Sequence, residues 1–447
     1  MDKYIQADGK IITPQTHLTS KQKEAVGLLS IGTLLEHFDL MLFVHMSVLL
    51  NELFFPKVDD RMKALLSATT FCSTFVFRPV AALLFGWIGD NIGRKATVII
   101  TTALMAVSCV VMANLPTYAQ IGIAASWIMI ICRIVQGIST SAELIGAEIY
   151  LSEISKPPIQ YPIVAMIGCF GVLGISCALG AATLFTSYGL NWRIAFWLGA
   201  TVAIVGSLAR TRLKETPEFV NAKLRIKNKV EKIFKTPDLL KENIILHDKL
   251  NINPGIFYFL VQCSWPVYMY FGYIHCGNLL VSRFGYKAEQ VIQQNFSVSL
   301  VHLATMLILA AMSYRIYPLK ILKTLTIIFG IFSLLCPLLL DKINSPFQLF
   351  LIQAFVMIFG PKSDFPASPV FFRNLPVFTR FTQASLAFAI SRALIYGITS
   401  FGLISLIDYF GNMGLLFILL PVIIGYAIGI NYFEKLEKQN EQYTRMI

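Results

Sequence analysis

The apolar residues of this chain fall in twelve blocks, at about 23–50, 64–88, 96–115, 121–147, 161–187, 192–209, 254–281, 289–313, 319–340, 346–372, 383–407 and 411–433. Each is close to the roughly 20 residues that an α-helix needs to cross a bilayer. Inside hydrocarbon every backbone polar group must be satisfied within the protein, which leaves helices as the form for segments of this length. The balance agrees: 56% of the 447 residues are hydrophobic and 14% are charged. A soluble domain sits nearer half and a quarter. The expected fold is an all-α membrane protein of twelve transmembrane helices.

An even number of spans places both termini on one side. Lys3, Lys10, Lys21 and Lys23 mark that side as cytoplasmic. The apolar blocks stop over 210–250, where eleven Lys or Arg stand against six Asp or Glu. This basic stretch reads as a cytoplasmic linker. It divides the chain into a cytoplasmic segment (1–22), a six-helix bundle (23–209), the linker, a second bundle (251–433) and a cytoplasmic tail (434–447). Two six-helix halves with solute bound between them is a common transporter plan. The net charge of +12 lies largely between and beside the spans, as loops facing the cytoplasm require. That placement argues against nucleic acid as the partner. Residues 1–22 carry no apolar signal region, so the first span is expected to act as an uncleaved anchor. The eight cysteines (72, 109, 132, 169, 177, 263, 276 and 336) lie in or beside apolar runs without metal-ligand spacing. They read as small core hydrophobes, and no metal or organic cofactor is expected.

Charges inside the spans are the functional signal, because a charge at membrane depth is costly and needs a partner or a cavity. In the first span Glu36 and Asp39 are three apart and share a helix face. Ion pairing with Arg133 or Arg78 is the structural alternative to a functional role. His37 and His45 read as polar packing. The second span holds Arg78 followed by Pro79, which is expected to kink the helix or loosen its hydrogen bonds. In the fourth, Arg133, Gln136, Gly137, Thr140 and Glu143 fall within an arc of about 120° at 100° per residue. One polar stripe on an apolar helix faces the bundle interior. Glu148 and Glu153 lie further along and read as interfacial. The tenth span contains Gly360-Pro361-Lys362-Ser363-Asp364-Phe365-Pro366, which no regular helix accommodates. Irregular backbone at that depth lines a cavity or is buried in protein. Lys362 and Asp364 either pair with each other or meet solute. Arg392, about nine residues into the eleventh span, also needs a partner.

The tight turn between the second and third spans is Gly86-Trp87-Ile88-Gly89-Asp90-Asn91-Ile92-Gly93-Arg94-Lys95. Gly86 allows close helix approach. Gly93 suits a backbone conformation other residues resist. Arg94 and Lys95 favour the cytoplasmic side. Asp90 is placed to meet a cation or to cap a neighbouring helix. This loop resembles the cytoplasmic loop between helices 2 and 3 of major facilitator superfamily transporters, with Asn91 where an Arg usually follows the Asp. The Glu-x-x-Asp of the first span, Arg78-Pro79, the Arg-x-x-Gln-Gly…Glu of the fourth, Trp192-Arg193-Ile194-Ala195-Phe196 and Arg212-Leu213-Lys214-Glu215-Thr216-Pro217-Glu218-Phe219 narrow the resemblance to the metabolite:proton symporter branch. That branch includes proline/betaine transporters and carriers of dicarboxylates, citrate and shikimate. Ser141-Ala142 stands where two glycines are usual.

The second half resembles the family more weakly. Ser313-Tyr314-Arg315-Ile316-Tyr317-Pro318-Leu319-Lys320 keeps basic residues but lacks the Gly and Asp of the first-half loop. Leu375-Pro376-Val377-Phe378-Thr379-Arg380-Phe381-Thr382 resembles a Phe-Pro-x-x-x-Arg-Tyr segment, with Arg373 in place of an upstream acid. The resemblance implies a secondary active transporter of a bacterial inner membrane, functional as a monomer, importing a small polar solute such as proline or betaine with protons. A dicarboxylate or other organic acid is the alternative solute. Carboxyls in low dielectric make Glu36, Asp39 and Glu143 the proton-site candidates. Arg78, Arg133, Gln136, Lys362, Asp364 and Arg392 are the candidates for lining the solute path. A transporter-derived sensor or scaffold is a second class of reading, motivated by the altered loop and Arg373. The chain contains no Gly-Lys-Ser/Thr phosphate loop, His-Glu-x-x-His or Gly-x-Ser-x-Gly element, so enzyme activity is not expected.

Overall fold

A computed structural model describes residues 4–5, 11–12, 14–54, 75–188, parts of 193–204, and 252–439. The linker at 210–250, Cys72, most of the sixth span and the end of the tail lie outside the described residues. So do the side chains of His45, Arg94, Thr140, Ser141 and Ala142. A two-residue antiparallel pair, Tyr4–Ile5 with Ile11–Ile12, precedes the first helix. The rest of the described fold is helical.

In the first half, α1 (Ser20–Phe54), α2 (Arg78–Asn91), α3 (Arg94–Asn114), α4 (Ile123–Ile154) and α5 (Gln160–Tyr188) follow the apolar blocks. Pro79 lies where the second span is interrupted: Phe75 and Val76 are helical, Phe77 is a turn, and helix resumes at Arg78. Pro79 occupies the first turn of α2. Its missing N–H needs no partner there. In the second half, α6 (Asn253–Gln262), α7 (Ser264–Met269), a π-helical turn at Tyr270–His275 and α8 (Cys276–Phe284) make one interrupted span. They are followed by α9 (Ala288–Met312), α10 (Pro318–Asp341) and α11 (Pro346–Phe359). The chain then leaves helical geometry until α12 (Ser368–Arg373), which answers the Gly-Pro…Pro run. The final elements are α13 (Arg380–Gly397), a π turn at Ile398–Gly402, α14 (Leu403–Phe410) and α15 (Leu416–Gln439).

Seven of the described helical stretches are long and apolar enough to cross a membrane. The other spans are interrupted or partly outside the described residues. Helix α10 shows how these surfaces are divided. Leu322, Leu325, Phe329 and Phe332 are buried, while Ile327, Ile331 and Leu334 are largely exposed at i, i+4 and i+7. That outer apolar stripe is suited to lipid rather than water. Six of the seven described cysteines are buried and Cys177 is exposed; all are free.

Candidate functional site

The first-half charges converge from three helices. Glu36 and Asp39 of α1, Arg78 of α2, and Arg133, Gln136 and Glu143 of α4 are all buried. The arc inferred for α4 therefore does face inward, while Trp127 and Ile131 of the same helix face out. Arg133 Nη1 donates to Gln136 Oε1 at 2.7 Å, and Gln136 Nε2 donates to Asp39 Oδ2. One amide thus bridges a guanidinium and a carboxylate. The second oxygen of Asp39 has no hydrogen-bond partner among the described residues. Glu36 lies within electrostatic reach of Arg78, whose guanidinium also sits 4.5 Å from the Phe75 ring centre. His37 Nδ1 lies 2.9 Å from the Thr33 carbonyl, with the ring against Gly171 of α5 and within electrostatic reach of Arg78.

The second-half charges form a similar relay. Arg392 Nη1 donates to Gln262 Oε1 at 2.7 Å, and its guanidinium lies 3.6 Å from the Phe388 ring centre. Gln262 Nε2 donates to Asp364 Oδ1 at 3.0 Å, and Tyr258 Oη donates to Asp364 Oδ2 at 2.9 Å. Again an amide stands between an Arg and an Asp. Lys362 and Asp364 do not pair. Ser363 between them has φ 52°, and the break sends the two side chains different ways. Lys362 Nζ caps the end of α11 through the carbonyls of Ile358 (3.0 Å) and Gly360 (3.1 Å). A cation suits the negative end of a helix dipole.

Asp90, at the end of α2, caps a helix of the other half. It accepts from Phe381 N at 3.1 Å, Thr382 N at 2.9 Å and Thr382 Oγ1 at 2.7 Å, at the N-terminus of α13. An anion is favoured there because the first N–H groups of a helix lack partners. Small residues let the helices meet: a Cβ on Gly86 would lie 2.8 Å from Thr382 Cα, and one on Gly89 2.7 Å from the Phe381 ring. Gly93 turns the chain with φ 145°, a conformation that favours glycine. Asn91 bonds back to the Trp87 carbonyl at 2.9 Å, and Lys95 is half-buried.

Glu148 and Glu153, near the end of α4, do not face solvent. Glu153 is buried against Arg380 of the other half, 3.0 Å from its Nη1. Glu148 is buried and within electrostatic reach of Asp364 and Arg392. Helix α4 packs its inner face on α12 and α13, which covers these positions. Arg373 has a partner the sequence did not suggest. It binds the fully buried Glu437 of α15, joined by Tyr317 Oη (3.0 Å) and Tyr161 Oη of the first half (3.3 Å). Tyr258, Gln262 and Glu437 were missed as site residues. Gln262 and Tyr258 carried one signal, polar groups four apart in an apolar run. Glu437 sat in a tail with other charges and carried none.

A family model described as "Sugar (and other) transporter" matches residues 26–251, just over half of the chain. The proline/betaine transporter of Escherichia coli K12 is 32% identical over 209 residues, covering 44% of this chain and 41% of that protein. The inner membrane metabolite transport protein YhjE of the same strain is 34% identical over 215 residues, covering 46% and 48%. The chain therefore spans less than half the length of the curated relatives it matches. Among solved structures, the proton:xylose symporter XylE bound to 6-bromo-6-deoxy-D-glucose superposes with a TM-score of 0.73 at 16% identity, over 93% of this chain and 96% of that one. The human organic anion transporter MFSD10 gives 0.57 at 16% identity, over 92% and 99%. These structural likenesses carry the fold, and with it the twelve-helix major facilitator architecture. On the family match and the fold together, this chain is a multi-pass membrane protein that belongs to the sugar (and other) transporter family of the major facilitator superfamily.

Proposed function

We propose that the protein is a secondary active transporter that takes up a small polar organic solute with protons by alternating access. The observation that carries this reading is the pair of buried relays, Arg133–Gln136–Asp39 and Arg392–Gln262–Asp364, one in each half. Buried charges at membrane depth are retained where an ion or solute path uses them. The relatives named proline/betaine transporters support an osmolyte of that type. The bundles would run over 23–209 and 251–433, joined by a cytoplasmic 210–250 linker in an inner membrane, with the protein acting as a monomer. Glu36, Asp39 and Glu143 are the coupling carboxyls of this reading. Arg78, Arg133, Gln136, Lys362, Asp364 and Arg392 line the solute path. An organic acid is the second solute reading, favoured by Lys362 and Arg392, two buried cations with no ion-paired carboxylate among the described residues.

The Asp90 cap, with the Glu153–Arg380 pair beside it, makes the end of the bundle at the 2–3 loop the closed gate. Proteoliposomes given an inward proton gradient should concentrate labelled proline or glycine betaine, and an uncoupler should abolish this. Asp90→Asn removes the charge at the α13 N-terminus while leaving acceptor oxygen in place. It should slow initial uptake several-fold, since a charged cap is worth about 1 kcal/mol more than a neutral one at such a site. Insertion should be unchanged. An initial rate equal to wild type removes the gate assignment, and uptake indifferent to the proton gradient removes the coupling.

A further inference from the structure

Several buried polar groups lie outside both relays, and one of them, His302 of α9, has both ring nitrogens without a hydrogen-bond partner among the described residues. It is 1% exposed. Its ring stacks on Trp265 of α7, with centres 5.0 Å apart and planes at 26°. The broken tenth span faces the same place. Leu303 and Met306, neighbours of His302 along α9, pack in one cluster with Phe359 and Phe365, which bracket Lys362. The charge of Lys362 reaches the His302 ring. Lys362 is 5% exposed and spends two of its three N–H groups on the Ile358 and Gly360 carbonyls. The third has no acceptor among the described residues, and no carboxylate there pairs with the ammonium.

A buried ammonium without a counter-anion and a buried imidazole without a partner are both unfavourable arrangements. A neutral imidazole holds one donor and one acceptor, and an ammonium holds donors alone. An acceptor carrying negative charge would satisfy the Lys362 proton and the imidazole N–H together, and charge-assisted bonds of this kind are the strong ones. An aromatic face beside them suits the carbon skeleton of a small solute. We infer that His302 and Lys362 form the seat for the carboxylate of the transported solute, with Trp265 as the wall beside it. The inference rests on the transport reading above and deepens it: the solute must carry a carboxylate, whether it is a zwitterion or an organic acid.

The test is binding to the purified full chain in nanodiscs, read from tryptophan emission, with Trp265→Phe identifying the Trp265 signal. Three carboxylates are titrated against counterparts lacking the group: proline against pyrrolidine, glycine betaine against choline, succinate against 1,4-butanediol. At least one carboxylate should bind saturably while its counterpart does not. His302→Phe keeps the stack and removes the N–H; Lys362→Met removes the charge. Each should weaken binding by roughly ten- to a hundredfold, the range for losing one charge-assisted hydrogen bond. His302→Gln, which restores a donor, should recover part of it. Binding of no carboxylate, equal binding of a pair, or unchanged binding by His302→Phe overturns the seat. Counterflow of some other solute alongside such a result would leave the transport reading standing. Binding that depends on His302 and Lys362 without movement across the membrane would uphold the seat and sink that reading instead.

Discussion

Asp39→Asn is expected to abolish solute accumulation driven by a proton gradient while leaving exchange of bound solute in place. A coupling carboxyl takes a proton on one side and releases it on the other, and an amide is fixed in the uncharged form. Asp39 is suited to this role by how it is held. It accepts from the Gln136 amide, with the Cys109 thiol also beside it, and Arg133 bonds to Gln136 at 2.7 Å. An asparagine oxygen still accepts from Gln136, so the relay keeps its hydrogen bonds, although buried Arg133 loses the nearby Asp39 charge. Glu36 lies near Arg78, and its loss should leave that buried guanidinium poorly compensated. Glu36→Gln is therefore expected to impair exchange as well as accumulation. For one proton per solute, a gradient of one pH unit supports roughly tenfold accumulation, since it is worth about 1.4 kcal/mol. The Asp39→Asn ratio should fall to about one. Wild-type accumulation by this variant would move the coupling role to Glu36 or Glu143. Retention by all three amide variants would end the coupling assignment.

Arg373→Glu should cost about 3 kcal/mol of stability, the lower part of the range for breaking a buried ion pair. The lower part applies because the Arg373 side chain keeps 26% of its exposure while Glu437 has none. Glu437 accepts from Arg373, from Tyr317 Oη at 2.5 Å and from Asn374 Nδ2 at 2.7 Å. A second carboxylate at 373 would face it without a cation between. Adding Glu437→Arg restores opposite charges in exchanged positions. The double variant should regain much of the loss, as a coupling energy between neighbouring sites. Thermal unfolding in detergent reads both. A single variant as stable as wild type, or a double variant no better than the single, would show that this cluster does not hold the ends of α10, α12 and α15 together. The reversed charge at Arg373 is thereby explained inside this chain: its anion comes from α15, a segment distant in sequence.

Much of the architecture was legible because membrane helices are written in local terms. Block length marked the spans, the 100° arc put Arg133, Gln136 and Glu143 on one face, and the Gly-Pro…Pro run marked the break after Phe359. What stayed hidden was pairing across segments. Lys362 and Asp364 are two apart in sequence, yet Ser363 at φ 52° parts them. Glu148 and Glu153 sit near a helix end, where exposure is the usual expectation, but α12 and α13 cover that face. Pro79 was legible too: a proline interrupts a helical ladder, and the turn at Phe77 between helical Val76 and Arg78 marks that interruption. His302 stands in an apolar run, and only its stacking on Trp265 and its nearness to Lys362 distinguish it from a packed histidine.

Counterflow in proteoliposomes tests the transporter reading most directly, because it needs a solute site open alternately to two sides and no energy source. Vesicles loaded with excess unlabelled proline, glycine betaine or succinate are diluted into trace label. Label should enter transiently above its equilibrium level for at least one of these, and Trp265→Phe or His302→Phe should alter that overshoot. Label that never exceeds equilibrium for any of them, with protein correctly inserted, would contradict the account and leave the chain as a sensor or scaffold built on a transporter fold.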